Sequence, residues 1–142
     1  MMHSFPDKKV VVENYGHIGH GAVLHGCTVK RNALVGINST VMDDVIVGEE
    51  AFVGGNAFVK AGFEIPPRTL VSGVPARVIR ELSESEIHWK THGTEQYQVL
   101  AQRYFDSFEA VEALTELESG RPTLQCDRTT SVALHEMKKN KP

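Results

Sequence analysis

The stretch Val29-Lys30-Arg31-Asn32-Ala33-Leu34-Val35-Gly36-Ile37-Asn38-Ser39-Thr40-Val41-Met42-Asp43-Asp44-Val45-Ile46-Val47-Gly48 places an aliphatic residue at every sixth position: Val29, Val35, Val41 and Val47. Working outward, Val53, Val59, Ile65 and Val71 continue the step, and Leu24, Ile18 and Val12 precede it, with one residue dropped between Leu24 and Val29. The fifth position of each hexamer, which in a full hexamer lies two before the next aliphatic, is mostly small: Ala22, Thr28, Ala33, Ser39, Ala51 and Ala57, with Val45 and Phe63 as departures. Two residues apart in a strand means the same face. Gly19, Gly36, Gly48 and Gly54 follow their aliphatic residues, where glycine is expected to permit the backbone angles of a sharp bend.

A helix does not explain this pattern, because a step of six carries the apolar residue around a 3.6-residue turn. Short strands separated by bends, each sending one aliphatic and one small residue inward, describe a β-helix. The pattern resembles the hexapeptide repeat of left-handed parallel β-helices, in which three hexamers form one triangular coil. Residues 12–76 then give between three and four coils, a stack less than ~20 Å long at roughly 4.8 Å per coil.

Pro66-Pro67 and Pro75 mark the end of the solenoid. Ser83-Glu84-Ser85-Glu86 reads as a capping box that starts a helix. Gly93 is expected to break that helix and Thr94 to cap a second one. In the second, Tyr97, Leu100, Tyr104, Phe105, Phe108, Val111 and Leu114 fall at helical spacing and are expected to pack on the solenoid or on a neighbouring subunit. From Gly120 the periodicity is lost, and Arg121-Pro122 with Lys138, Lys139 and Lys141 suggests a mobile tail. The fold expected is therefore mainly β: a left-handed β-helix over 1–80, C-terminal helices packed on it over 81–118, and a flexible tail over 119–142.

Composition narrows the function. Lys and Arg total 15 against 18 Asp and Glu, which argues against a nucleic-acid partner bound through bulk charge. No apolar run approaches the ~20 residues that span a bilayer. Met1-Met2-His3-Ser4-Phe5-Pro6 lacks the basic end and apolar core of a signal peptide. Cys27 and Cys126 cannot make a disulfide framework, so a reducing cytoplasm is expected.

The chemistry is concentrated near the start, where His3, His17, His20 and His25 fall within the first 25 residues. His20 and His25 belong to successive hexamers and so to adjacent faces of the prism. One chain would struggle to aim both at one ion, whereas two chains packed side by side could do so, which requires a symmetric oligomer. Histidine suits zinc, which often takes three protein ligands and a water in catalytic sites.

Gly19-His20 followed by Leu24-His25-Gly26-Cys27, with Met2-His3-Ser4-Phe5-Pro6 upstream, resembles the zinc signature of the gamma-class carbonic anhydrase family. The resemblance is closer to its phenylacetate-degradation and carnitine-operon branch. It is carried by Glu13-Asn14-Tyr15-Gly16-His17-Ile18, Arg31-Asn32-Ala33-Leu34-Val35-Gly36, Val71-Ser72-Gly73-Val74-Pro75-Ala76-Arg77, Ile79-Arg80-Glu81-Leu82-Ser83 and Glu95-Gln96-Tyr97-Gln98-Val99-Leu100. It covers roughly residues 1–122 and enters the family's solenoid part-way up, without the upstream Arg-Gly-Asp segment and the Gln before the first ligand.

The resemblance implies a homotrimer with zinc held by His3 and His25 of one subunit and His20 of its neighbour. It implies an acyl-CoA substrate and a thioesterase of phenylacetate catabolism that hydrolyses stalled intermediates. Carbonic anhydrase activity, acyl transfer and a non-catalytic accessory role are the alternatives. Zinc lowers the pKa of a bound water to about 7 and stabilises an oxyanion, which serves attack on a thioester or on carbon dioxide.

Other residues have plainer expectations. His17 reads as a turn or interface residue, His88 and His92 as a solvated helix face, and His135 as part of the tail. Cys27 reads as a small buried filler rather than a nucleophile. Asp7 is a lesser candidate for proton transfer, and Arg68, Arg77 and Arg80 are solvated charges rather than contacts for CoA phosphates. Tyr15 and Asn38 fall near the site by register and carry no assigned role.

Overall fold

The computed structural model describes residues 1–120 and 133–139. By its contacts the chain divides into two units, 1–94 and 95–142.

The first unit is a β-solenoid. Eleven short strands, β1 (Met2–His3), β2 (Val11–Val12), β3 (His17–Ile18), β4 (Val23–His25), β5 (Thr28–Val29), β6 (Leu34–Val35), β7 (Thr40–Val41), β8 (Ile46–Val47), β9 (Phe52–Val53), β10 (Phe58–Val59) and β11 (Glu64–Ile65), lead into β12 (Thr69–Gly73) and β13 (Ala76–Glu81). Every third strand stacks in parallel, giving the sheets β1-β4-β7-β10, β2-β5-β8-β11 and β3-β6-β9-β12. Leu34 pairs with Phe52 and Phe52 with Leu70, a coil of 18 residues, or three hexamers. The dropped residue appears as a step of 17 where His17 pairs with Leu34. β13 turns back antiparallel on β12 and ends the parallel stack at Pro75, whereas Pro66-Pro67 lie inside it, before β12, which still pairs in parallel with β9.

The aliphatic column from Leu24 to Val71 is the core, with Val29, Val35, Val41, Val47, Val59 and Val71 at 0% exposure. Val12 and Ile18 belong to the end coil and are only partly covered. The dropped residue shifts the small position, so Cys27 rather than Thr28 fills the inward slot before Val29; Cys27 is buried and Thr28 only partly so.

Gly19, Gly36, Gly48 and Gly54 are not among the positive-φ residues, contrary to the bend expected of them. The positive-φ corners are held instead by Tyr15, Asn32, Asn38, Asp44, Glu50, Asn56 and Arg68, with Gly21, Gly26 and Gly62 in the same series. Asn and Asp tolerate this conformation because their short polar side chains bond locally. Gly36 and Gly48 serve close approach: a Cβ at Gly36 would lie 2.6 Å from Gly55 N and Val53 O of the next coil, and one at Gly48 would lie 2.4 Å from Ile65 O.

Helix α1 (Glu84–Ser107) starts where the capping box predicted. The Ser83 N–H donates to Glu86 Oε2 at 3.0 Å, and Glu86 also receives the Arg80 guanidinium at 2.8 and 2.9 Å. Ile87 and Leu82 pack on Phe52, with Leu34 and Leu70 alongside. Contrary to expectation, α1 runs through Gly93 without a break, and Thr94 caps nothing.

The reason lies in the contacts around Gly93. Buried Lys90 donates to the Tyr15 carbonyl and, at 2.8 Å, to Asn32 Oδ1. Asn32 Nδ2 donates to Thr91 Oγ1 at 2.9 Å. The Thr94 hydroxyl donates to Lys90 O at 3.2 Å and meets His17 Nδ1 at 3.0 Å. These contacts exceed the ~1 kcal/mol that a mid-helix glycine costs. Arg68 joins the same latch, bonded to Glu50 at 2.8 Å and to Glu84. Arg68 and Arg80 are thus engaged in ion pairs, while Arg77 is exposed.

In the second unit α1 ends at Ser107, so Phe108, Val111 and Leu114 lie beyond the helix that their spacing suggested. Tyr97, Leu100, Tyr104 and Phe105 are exposed. Tyr104 and Phe108 keep a ring contact at 5.3 Å. A short helix α2 spans Leu134–Lys139 and includes exposed His135, in a region where no periodicity announced it. Arg121-Pro122, Cys126 and Lys141 lie outside the described residues.

Candidate metal centre

Strand pairing brings two of the three candidate histidines together. β1 pairs with β4 so that His3 stands beside His25. Leu24 N donates to Met1 O at 2.9 Å, Gly26 N to His3 O at 3.0 Å, and the Met1 amino group to Ala22 O at 2.7 Å. His3 is therefore fixed by a ladder despite its place at the start of the chain. In β4, buried Leu24 points inward, so His25, next in the strand, points outward.

His3 Nδ1 lies 2.9 Å from His25 Nε2, with ring centroids 5.0 Å apart. Phe5 meets His25 edge-on, with centroids 5.1 Å apart. On the other side of the ring, His25 Nδ1 lies 2.9 Å from both oxygens of Asp43. The sequence reading missed Asp43. The signal was available: with coils of 17 to 18 residues, Asp43 stands one coil from His25. Gly26 leaves the room for it, since a Cβ there would lie 2.4 Å from Asp43 Oδ1.

His20 is exposed at the corner after β3. Among the described residues no group of three or more His, Cys, Asp or Glu side chains is placed to hold a metal ion. The two imidazole nitrogens face each other at hydrogen-bond distance, and among the described residues no third ligand stands with them. Two imidazole nitrogens with one ring backed by a carboxylate fit zinc as a partial donor set.

The remaining candidates separate from this centre. His17 is half-buried against Thr94, and burial first, then the Lys90 and His20 charges, holds its pKa below the ordinary value. Cys27 is buried, and burial pushes its thiol up to about 11, which suits a core filler and not a nucleophile. Asp7 is exposed in the loop before β2, and His88 is exposed on α1. Tyr15 and Asn38 are corner residues at φ 61° and 56°. A groove of about 510 Å³ lies elsewhere, lined among others by Glu13, Lys30, Glu49, Glu64 and Pro66, and none of the candidate histidines borders it. Among the described residues no helix is long and apolar enough to cross a membrane.

Comparison with known proteins agrees with the repeat. Residues 26–61 match the family described as bacterial transferase hexapeptide (six repeats). The carnitine operon protein CaiE of Salmonella agona is 47% identical over 125 residues, 88% of this chain and 63% of that protein, so the chain spans less than two thirds of that relative's length. The CaiE protein of Escherichia coli strain SMS-3-5 is 47% identical over 133 residues, 94% of this chain and 67% of that protein. A solved structure of a hexapeptide transferase family protein from Anaplasma phagocytophilum aligns with a TM-score of 0.68 and 30% identity, over 72% of this chain and 60% of that one. The chain belongs to the hexapeptide-repeat family of the carnitine operon protein CaiE.

Proposed function

We propose that this chain is a zinc-dependent hydrolase of acyl-CoA thioesters, assembled as a homotrimer in the cytoplasm. Each site takes His3 and His25 from one subunit and His20 from the next. The observation that carries this reading is the convergence of His3 Nδ1 and His25 Nε2 at 2.9 Å on the outer face of the solenoid. Two imidazole nitrogens this close share either a proton or a cation. Their outward position leaves the ion open to a third ligand from a neighbouring copy.

Zinc, when bound, supplies a Lewis acid and an activated water at neutral pH. The chain's own residues do the rest. The β1–β4 ladder fixes the separation of the two rings. Phe5 packs against the His25 ring at a steep angle. The acyl group is taken to come from phenylacetate catabolism or, by analogy with the CaiE relatives, from carnitine metabolism.

The test is hydrolysis of phenylacetyl-CoA and of a quaternary-ammonium acyl-CoA by the zinc-loaded protein, with and without a chelator. Chelator-sensitive thiol release supports the reading. Carbon dioxide hydration without thioester cleavage selects the anhydrase alternative, and no turnover of either selects an accessory role.

A second reading has its own observation. The Asp43–His25 pair resembles a general base oriented by a carboxylate, and the matching family is a transferase family. Chelator-insensitive transfer of the acyl group to an added alcohol or amine, in place of water, selects it.

A further inference from the structure

We propose that Asp43 is a positioning residue that fixes the His25 tautomer and thereby selects Nε2 as the nitrogen offered to a ligand. The metal-affinity part of this inference rests on the zinc reading above. A carboxylate only accepts hydrogen bonds, so the proton between His25 and Asp43 sits on His25 Nδ1. Both Asp43 oxygens lie 2.9 Å from that nitrogen. A neutral His25 then has its lone pair on Nε2, facing His3.

Free imidazole in water does not make this choice by itself; an acceptor on one nitrogen makes it. The backbone is shaped for it. The corner after β4 is one residue tighter than the corner after β7, and Gly26, at φ 56°, stands where any side chain would strike Asp43. Asp43 thereby reaches from its own coil to the imidazole of the adjacent one, while its neighbour Asp44 turns outward to Lys8.

The experiment uses the full chain labelled with ¹⁵N at histidine. Long-range ¹⁵N–¹H correlation reads the tautomer of each ring without metal, and chelator competition reads zinc affinity. In the wild type His25 is expected as the Nδ1–H form. Asp43→Ala is expected to shift it toward the Nε2–H form and to weaken zinc about 10–100-fold. Gly26→Ala, which displaces the carboxylate without removing it, is expected to shift the tautomer in the same direction. A wild-type His25 in the Nε2–H form overturns the inference, and so does an Asp43→Ala protein that keeps the Nδ1–H form. If the tautomer responds as expected while the wild type takes up no zinc, the positioning role stands and the zinc reading fails.

Discussion

Gly36 tests what holds the coils together. Replacing it with alanine places a Cβ 2.6 Å from Gly55 N and Val53 O and 2.8 Å from Gly54 C. These are backbone atoms of the next coil and cannot rotate away. Reaching ordinary contact near 3.5 Å requires the coils to part locally by about 0.8 Å. The adjoining bonds, Gly36 N to Val53 O and Asn56 N to Ile37 O, are each 2.9 Å long. The same opening stretches them beyond the ~3.2 Å limit of a normal N–H···O bond. Overpacking of about 1–3 kcal/mol and the weakening of one or two hydrogen bonds at about 1 kcal/mol each together give about 2–5 kcal/mol. For a domain of this size that lowers Tm by roughly 10–20 °C.

The partner experiment is Gly36→Asn against Gly62→Asn. Gly62 has φ 70° and nothing within 4 Å of a built Cβ, so asparagine fits there as it does at the other corners, and stability is expected to change by less than about 0.5 kcal/mol. Asparagine at Gly36 is expected to be at least as damaging as alanine. Thermal unfolding followed by circular dichroism reads all three. A Gly36→Asn protein as stable as wild type would show that backbone angle, not space, is what Gly36 provides, and would refute the argument.

Gly93→Ala is expected to stabilise the chain by about 0.5–1 kcal/mol, because the position is mid-helix and open, and a lower Tm would count against a continuous α1. Burial holds the Lys90 ammonium at about 8 instead of 10.5. The unfolded chain therefore binds more protons between those values, and stability rises with pH across that window. The gap corresponds to about 3 kcal/mol, and urea titrations at pH 8 and pH 10 should show a rise that Lys90→Met removes; an equal rise in both proteins would contradict this. Glu86→Gln, which weakens the bonds from Arg80 and Ser83, is expected to cost about 1–3 kcal/mol in denaturant unfolding, and an unchanged midpoint would refute it. Proteins carrying His20→Ala and His25→Ala are each expected to lose zinc and turnover. Assembled together from the unfolded chains, they should recover about a quarter of the sites if each site spans two subunits of a ring; no recovery argues for a site within one chain.

The core was legible in the sequence because a six-residue step permits few architectures, and Leu24 through Val71 lie where the step puts them. The corners were less legible. Gly36 looks like a bend residue until the next coil is present, since its constraint comes from Gly54 and Gly55, about one coil away. Cys27 took the slot assigned to Thr28 because the dropped residue changes register within one hexamer. The break expected at Gly93 failed because Lys90, Thr91 and Thr94 bond to Tyr15, Asn32 and His17, partners distant in sequence. His3 and His25 were legible as a pair through their resemblance to a known signature, and the strand register brings them together. Asp43 was missed because its contact with His25 crosses coils and appears only when the coil length is applied to polar residues as well as aliphatic ones.

The most direct test of the account is native mass spectrometry of the purified chain after zinc loading, which reads subunit number and bound metal in one spectrum. The account predicts a trimer with three zinc ions, and the same trimer without metal when His25 is replaced by alanine. A monomer, or a trimer that takes up no zinc, would contradict it.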